Sequence, residues 1–89
     1  MISTQITIIN KLGLHARAAA KLVSTASAFS SQVKIGYPDR MVDGKSIMAV
    51  MMLAASKGTE IQLQAEGSDE VEAITALQNL INRFFDEGE

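Results

Sequence analysis

The sequence predicts an α+β domain in which one four-stranded sheet is covered on a single face by three helices. Three observations lead there. Four short segments alternate apolar and polar residues, each with one face to bury. Three further segments carry apolar stripes at helical spacing. Their order along the chain is β-α-β-β-α-β-α, and a single sheet with helices on one side buries all of these faces at once. The other sheet face then meets water, which accounts for Gln5, Thr7, Gln62 and Gln64.

Each element has its own signature. Gln5 to Ile9 alternates, with Ile6 and Ile8 on one side, and Asn10-Lys11-Leu12-Gly13 breaks the strand. From Ala16 the period changes: Ala19, Leu22, Val23, Ala26 and Phe29 form a helical stripe in an alanine-rich segment. Gln32 to Tyr37 alternates again, with Val33, Ile35 and Tyr37 together. Pro38-Asp39-Arg40 is a turn, Met41-Val42 starts a short strand, and Asp43-Gly44 is a second turn. Ser46 is the expected N-cap of an apolar helix over Ile47 to Ala55, closed by Lys57 and a C′ Gly58. Glu60 to Glu66 alternates most cleanly. Gly67-Ser68-Asp69-Glu70 opens the last helix, whose stripe is Val71, Ile74, Leu77, Leu80, Ile81 and Phe84. Asp69, Glu70 and Glu72 suit the positive end of its dipole. The acidic tail Asp86-Glu87-Gly88-Glu89 is expected to fray.

Bulk properties narrow the function. A chain of 89 residues makes one domain, residues 1–89. It has no cysteine, so thiol chemistry and thiolate metal ligands are out. Net charge is −2 with dispersed basic residues, there is no tryptophan and only one tyrosine, which disfavours nucleic-acid binding. The N-terminus lacks the pattern of a signal peptide, and no apolar run approaches the roughly 20 residues of a membrane span. A cytoplasmic location is expected.

One segment combines groups that can handle phosphate. His15, the sole histidine, lies where the first strand gives way to the first helix. A helix start offers free N–H groups and a positive dipole end. Arg17 adds a guanidinium fork, and an imidazole nitrogen is a competent nucleophile. Taken locally, the plainer reading is favoured: one histidine beside one arginine is common, and His15 reads as an ordinary surface residue next to a helix cap. No set of residues at ligand spacing suggests a metal, and no cofactor is expected. Gly44-Lys45-Ser46 imitates the end of a P-loop, but the leading glycine would fall at Asp39 and the turn is too short, so nucleotide hydrolysis is rejected.

Longer segments carry a resemblance. Asn10-Lys11-Leu12-Gly13-Leu14-His15-Ala16-Arg17-Ala18-Ala19 resembles the active-site segment of the HPr family, the histidine-containing phosphocarriers of the phosphoenolpyruvate-dependent sugar phosphotransferase system. Gly44 to Leu53 resembles that family's regulatory-serine helix, and Ala55 to Ile61 its following turn and strand. The resemblance implies an open-faced sandwich with an antiparallel sheet in the order 1-4-2-3. It implies that His15 accepts a phosphoryl group on Nδ1 from phosphorylated enzyme I and passes it to an enzyme IIA domain, with Arg17 assisting. It implies a stoichiometric carrier with no reaction of its own on a small molecule; the sequence leaves oligomeric state open, although a transient carrier most naturally works as a monomer. Ser46 matches a serine phosphorylated by an HPr kinase in some members. Ile47, Met48 and Met51 match the docking surface beside the histidine, and methionine suits a face that accepts several partners. Ala20, on the same side of the first helix, extends that surface. Two positions depart from the pattern: many members have proline at Ala18 and a small polar residue at Leu12. The Lys-Leu-Gly-Leu-His form is also like members of the nitrogen-related branch, which leaves that branch open beside sugar uptake. A regulatory interaction module on the same fold, and an unrelated anion-binding α+β domain, are the competing readings.

Overall fold

A computed structural model of the protein describes residues 1–88. The elements follow the expected order: β1 (Ile2–Thr7), α1 (Ala16–Ser27), β2 (Gln32–Tyr37), β3 (Arg40–Asp43), α2 (Ile47–Met51), β4 (Glu60–Glu66) and α3 (Glu70–Asn82), then a short 3₁₀ turn at Phe84–Asp86. The four strands form one antiparallel sheet in the order β1-β4-β2-β3. Central β4 pairs with β1 from Ile2↔Ala65 to Thr7↔Glu60, and with β2 from Gln32↔Glu66 to Gly36↔Gln62.

This register puts Val33, Ile35, Ile61, Leu63 and Ala65 on the covered face, all at most 1 % exposed. The helices answer with Ala18, Ala19, Leu22 and Ala26 from α1 and Ala73, Ile74, Leu77, Leu80 and Ile81 from α3. The chain thus has the single two-layer core that its periodicities require. Tyr37 lies half-buried at the sheet's end, its hydroxyl donating to the Leu53 carbonyl at 3.0 Å.

Four boundaries differ from expectation, each for a tertiary reason. Strand β1 runs over Ile2–Thr7 rather than from Gln5 to Ile9, because its partner β4 begins only at Glu60, opposite Thr7. Ile8 continues inward as a core residue held by its N–H on the Thr59 carbonyl at 2.9 Å. Helix α2 stops at Met51, not Ala55. Tight turns follow, Leu53 N–H to Val50 and Ala54 N–H to Met51, and Ala54 adopts a left-handed φ of 52°. That reversal buries both Leu53 and Ala55. Gly58 therefore does not cap α2; it lies in the turn entering β4 and donates its N–H to the Ile8 carbonyl at 2.7 Å. In α3, Val71 is 58 % exposed, and Phe85 rather than Phe84 is the fully buried aromatic. The helix ends at Asn82, and the chain then turns left-handed through Phe84, Phe85 and Asp86, which swings Phe85 inward.

The start of α3 is anchored across the molecule. The Asp69 carboxylate makes no cap bond to its own helix. It accepts the backbone N–H groups of Ser30 and Ser31, each at 2.9 Å, and both serine hydroxyls. Those bonds, that of the Ser31 hydroxyl foremost, favour the charged form and hold the Asp69 pKa down at about 2.

Candidate functional site

The site begins with a glycine. Gly13 has φ +65° and closes the turn after β1, its N–H on the Asn10 carbonyl at 3.1 Å. A Cβ there would lie 2.4 Å from the Ala55 carbonyl oxygen and 2.8 Å from Ser56 Cα. Only glycine lets the two loops approach this closely. The contact is used at once: Leu14 N–H donates to the same Ala55 carbonyl at 2.8 Å, and Leu14 is buried. The loop is thereby pinned on both sides of the next residue, His15.

His15 is the N-cap of α1, with extended backbone (φ −72°, ψ 178°), and its carbonyl accepts from Ala19 N–H at 2.8 Å. Its side chain makes no cap bond, so the ring is available for other work. Nε2 lies 2.6 Å from Glu87 Oε2. An ionised carboxylate can only accept, so Nε2 carries the donated proton. In the neutral ring Nδ1 then holds the lone pair. Among the described residues Nδ1 makes no hydrogen bond. The imidazole is partly exposed, in a shallow cleft shared with Leu12, Ala16, Arg17, Lys21, Asp86 and Glu87. Arg17, in the first turn of α1, is exposed and lines the same cleft.

Glu87 is itself held. Asn10 is completely buried and its Nδ2 donates both to Glu87 Oε1 at 3.1 Å and to the Gly13 carbonyl at 2.8 Å. Both partners are acceptors, which fixes the amide orientation and leaves Asn10 Oδ1 buried without a partner. Such an orphan costs ~1–3 kcal/mol. Lys21 Nζ donates to the Phe85 carbonyl at 2.7 Å and clamps the same C-terminal turn to α1.

The expected fraying of the acidic tail is thus corrected for Asp86 and Glu87: the first belongs to the 3₁₀ turn and the second packs on His15. Glu89 lies outside the described residues. Sequence reasoning found His15 and Arg17 but missed Glu87, Asn10 and Lys21. An acidic tail in a chain with one histidine is no signal by itself, because the two lie 72 residues apart in sequence.

The remaining site residues lie on α1 and α2, which pack against one another. Ser46 is the N-cap of α2, its hydroxyl accepting from Ala49 N–H at 3.3 Å. Ile47, Met48 and Met51 are exposed, as is Ala20 on α1. Leu12 and Met52, which were not assigned to the docking face, are also exposed, at 66 % and 62 %. Val50 supplies the buried contact of α2. The departure at Ala18 falls in the core, where the residue is fully buried. Among the described residues no cluster of side chains could hold a metal ion, and no helix is long and apolar enough to cross a membrane.

A partly exposed imidazole at a helix start, beside an exposed arginine, is a set of groups able to engage a phosphoryl group. Comparison with known proteins carries this further. The family model for the PTS HPr component phosphorylation site matches residues 2–83. The phosphocarrier protein HPr of Pseudomonas putida is 62 % identical over 90 residues, covering 100 % of both chains. The crystal structure of HPr-C-His from Thermoanaerobacter tengcongensis superposes with a TM-score of 0.94 at 50 % identity, covering 98 % of each chain. The structure of an HPr dimer from the same organism gives 0.76 over 96 % of this chain and 98 % of that one, also at 50 % identity. The chain belongs to the HPr family, the phosphocarriers of the phosphotransferase system.

Proposed function

We infer that this protein accepts a phosphoryl group on Nδ1 of His15 from phosphorylated enzyme I and delivers it to an enzyme IIA domain. The observation that carries the reading is the contact of Glu87 with Nε2 at 2.6 Å on a ring that lines an open cleft; a carboxylate there accepts the Nε2–H hydrogen bond and leaves Nδ1 as the nitrogen for phosphorus. Family membership supports the carrier role.

The chemistry follows from the groups present. Nδ1 attacks phosphorus and forms the new P–N bond as the donor's bond to phosphorus breaks, its electron pair leaving with the donor. The positive charge developing on the His15 ring lies between two negative groups, the phosphoryl oxygens and Glu87. Arg17 moves onto the phosphoryl oxygens, and the first N–H groups of α1 add their dipole, worth ~0.3–1 kcal/mol for a charge in the first turn. None of these donors encloses the phosphate, so the group is stabilised but not trapped. The protein acts as a stoichiometric carrier, monomeric and cytoplasmic, with no small-molecule reaction of its own.

Ile47, Met48 and Met51 with Ala20 form the docking face for both partners. Ser46 is a phosphorylation target for an HPr kinase; a phosphate there adds roughly −1.5 to −2 charges to the docking side. It would slow exchange with a partner whose contacting surface is acidic.

The test is an intact-mass measurement after mixing the protein with phosphoenolpyruvate and active enzyme I. One added phosphate, lost on brief acid treatment and absent from His15→Ala, is expected. An unchanged mass would instead favour an interaction module that uses the α2 face without transferring phosphate.

A further inference from the structure

Phosphoryl acceptance on Nδ1 needs no carboxylate, yet the C-terminal turn places one on the opposite ring nitrogen. The placement is built rather than incidental. Phe85 is fully buried, and three consecutive non-glycine residues, Phe84, Phe85 and Asp86, take left-handed φ values of 60°, 53° and 62° to bring Glu87 round. Such conformations are disfavoured for residues with a Cβ and persist only where surroundings impose them. Lys21 fastens the turn through the Phe85 carbonyl. Asn10, fully buried with one orphaned oxygen, gives its Nδ2 to Glu87 and to the loop that carries His15. The Glu87 side chain is only 12 % exposed, so its bond to His15 is shielded from competing water.

We propose that Glu87, clamped by Asn10, is a positioning residue for phosphoryl transfer. It keeps the His15 proton on Nε2, so that the Nδ1 lone pair faces phosphorus, and it opposes the positive charge that the ring acquires when the Nδ1–P bond forms. This inference rests on the carrier reading above. In the transfer, Nδ1 supplies the electron pair for the new bond to phosphorus and the donor keeps the pair of the bond that breaks. The Nε2 proton stays where it is, shared with Glu87 throughout, so no base has to remove it. When the group moves on, the same pair of electrons returns to Nδ1 and the ring is again neutral, in the same tautomer and orientation. A carboxylate acting through a second ring nitrogen orients an imidazole and stabilises its charged form in this way. The charge-assisted bond to Nε2 supports about a ten-fold effect on rate.

The test uses the whole protein, selectively ¹⁵N-labelled on histidine, with the variants Glu87→Ala and Glu87→Gln. Spectra are taken on the high-pH plateau of a titration of each protein, where the ring signals no longer change with pH. The parent should show a single tautomer, Nε2 protonated and Nδ1 bare, with a slowly exchanging Nε2–H. Glu87→Ala should mix the tautomers and lose that slow proton. Glu87→Gln, which keeps an acceptor but no charge, should restore the tautomer. In rapid-quench phosphorylation by enzyme I, Glu87→Ala should slow single-turnover acceptance about ten-fold at saturating partner, with the half-saturating concentration unchanged. Glu87→Gln should fall between the two, because it orients without opposing charge. Identical histidine spectra in the parent and Glu87→Ala would overturn the inference, as would an altered tautomer with an unaltered rate. Failure of the parent to accept phosphate would overturn the carrier reading instead, while the tautomer spectra still report whether Glu87 orients the ring.

Discussion

Replacing Gly13 with alanine should unfold the protein at markedly lower temperature, and the size of the effect follows from the local geometry. Two costs combine. The residue has φ +65°, and a left-handed conformation costs a residue with a Cβ ~1–2 kcal/mol. The new Cβ would also lie 2.4 Å from the Ala55 carbonyl oxygen and 2.8 Å from Ser56 Cα. Both are backbone atoms, so neither can rotate aside, and the loops must part. Overpacking of this kind costs ~1–3 kcal/mol. Separation also weakens the 2.8 Å bond from Leu14 N–H to the same carbonyl. A total of about 3 kcal/mol is expected, which lowers Tm by about 12–24 °C in a domain of this length. The assay is thermal unfolding followed by far-ultraviolet circular dichroism, on parent and Gly13→Ala at one protein concentration. A Tm within about 4 °C of the parent would refute the reasoning, because 1 kcal/mol or less would then cover a cost assigned to two separate mechanisms.

Other consequences are more local. Ser46→Ala removes the hydroxyl that accepts from Ala49 N–H, and should lower stability by ~0.5–1 kcal/mol in chemical denaturation, with the m-value unchanged. Asp69, held at about pKa 2 in the folded protein against an ordinary 3.8, contributes stability that is complete above pH 4 and disappears as pH falls to about 2. Denaturation midpoints measured across that window should fall more steeply for the parent than for Asp69→Asn, which has no such proton to take up. Met48→Asp together with Met51→Asp alters exposed side chains, so stability should change by less than about 0.5 kcal/mol, whereas the enzyme I concentration for half-maximal phosphorylation should rise about ten-fold or more.

Much of the molecule was legible because its elements are amphipathic with clean periods. β4 and β2 were placed to the residue, since strict alternation leaves only one way to bury Ile61, Leu63 and Ala65 against Val33 and Ile35. The helical stripe of α1 was equally direct, and its junction with β1 drew attention to His15 and Arg17. The errors occur where a tertiary contact overrides a local pattern. The apolar run after Ser46 reads as helix through Ala55, but the chain reverses at Ala54 so that Ala55 can meet the His15 loop. The stripe of α3 extrapolates to Phe84, but the helix has ended by then and a left-handed turn exchanges the roles of the two phenylalanines. Glu87 was illegible for the same reason in its strongest form. Its partner lies 72 residues away, and neither spacing nor composition distinguishes a tail that docks from one that frays. Asp69 was read as a dipole partner of its own helix, and its real partners, Ser30 and Ser31, are likewise distant in sequence.

The central claim is that His15 carries the phosphoryl group on Nδ1, the nitrogen that Glu87 does not occupy. Phosphorus NMR of the protein phosphorylated by enzyme I and phosphoenolpyruvate tests it most directly, because the two imidazole nitrogens give distinct phosphorus signals. A single resonance in the Nδ1-phosphohistidine position, absent from His15→Ala, is predicted. A resonance in the Nε2 position, or one that survives His15→Ala, would contradict the account.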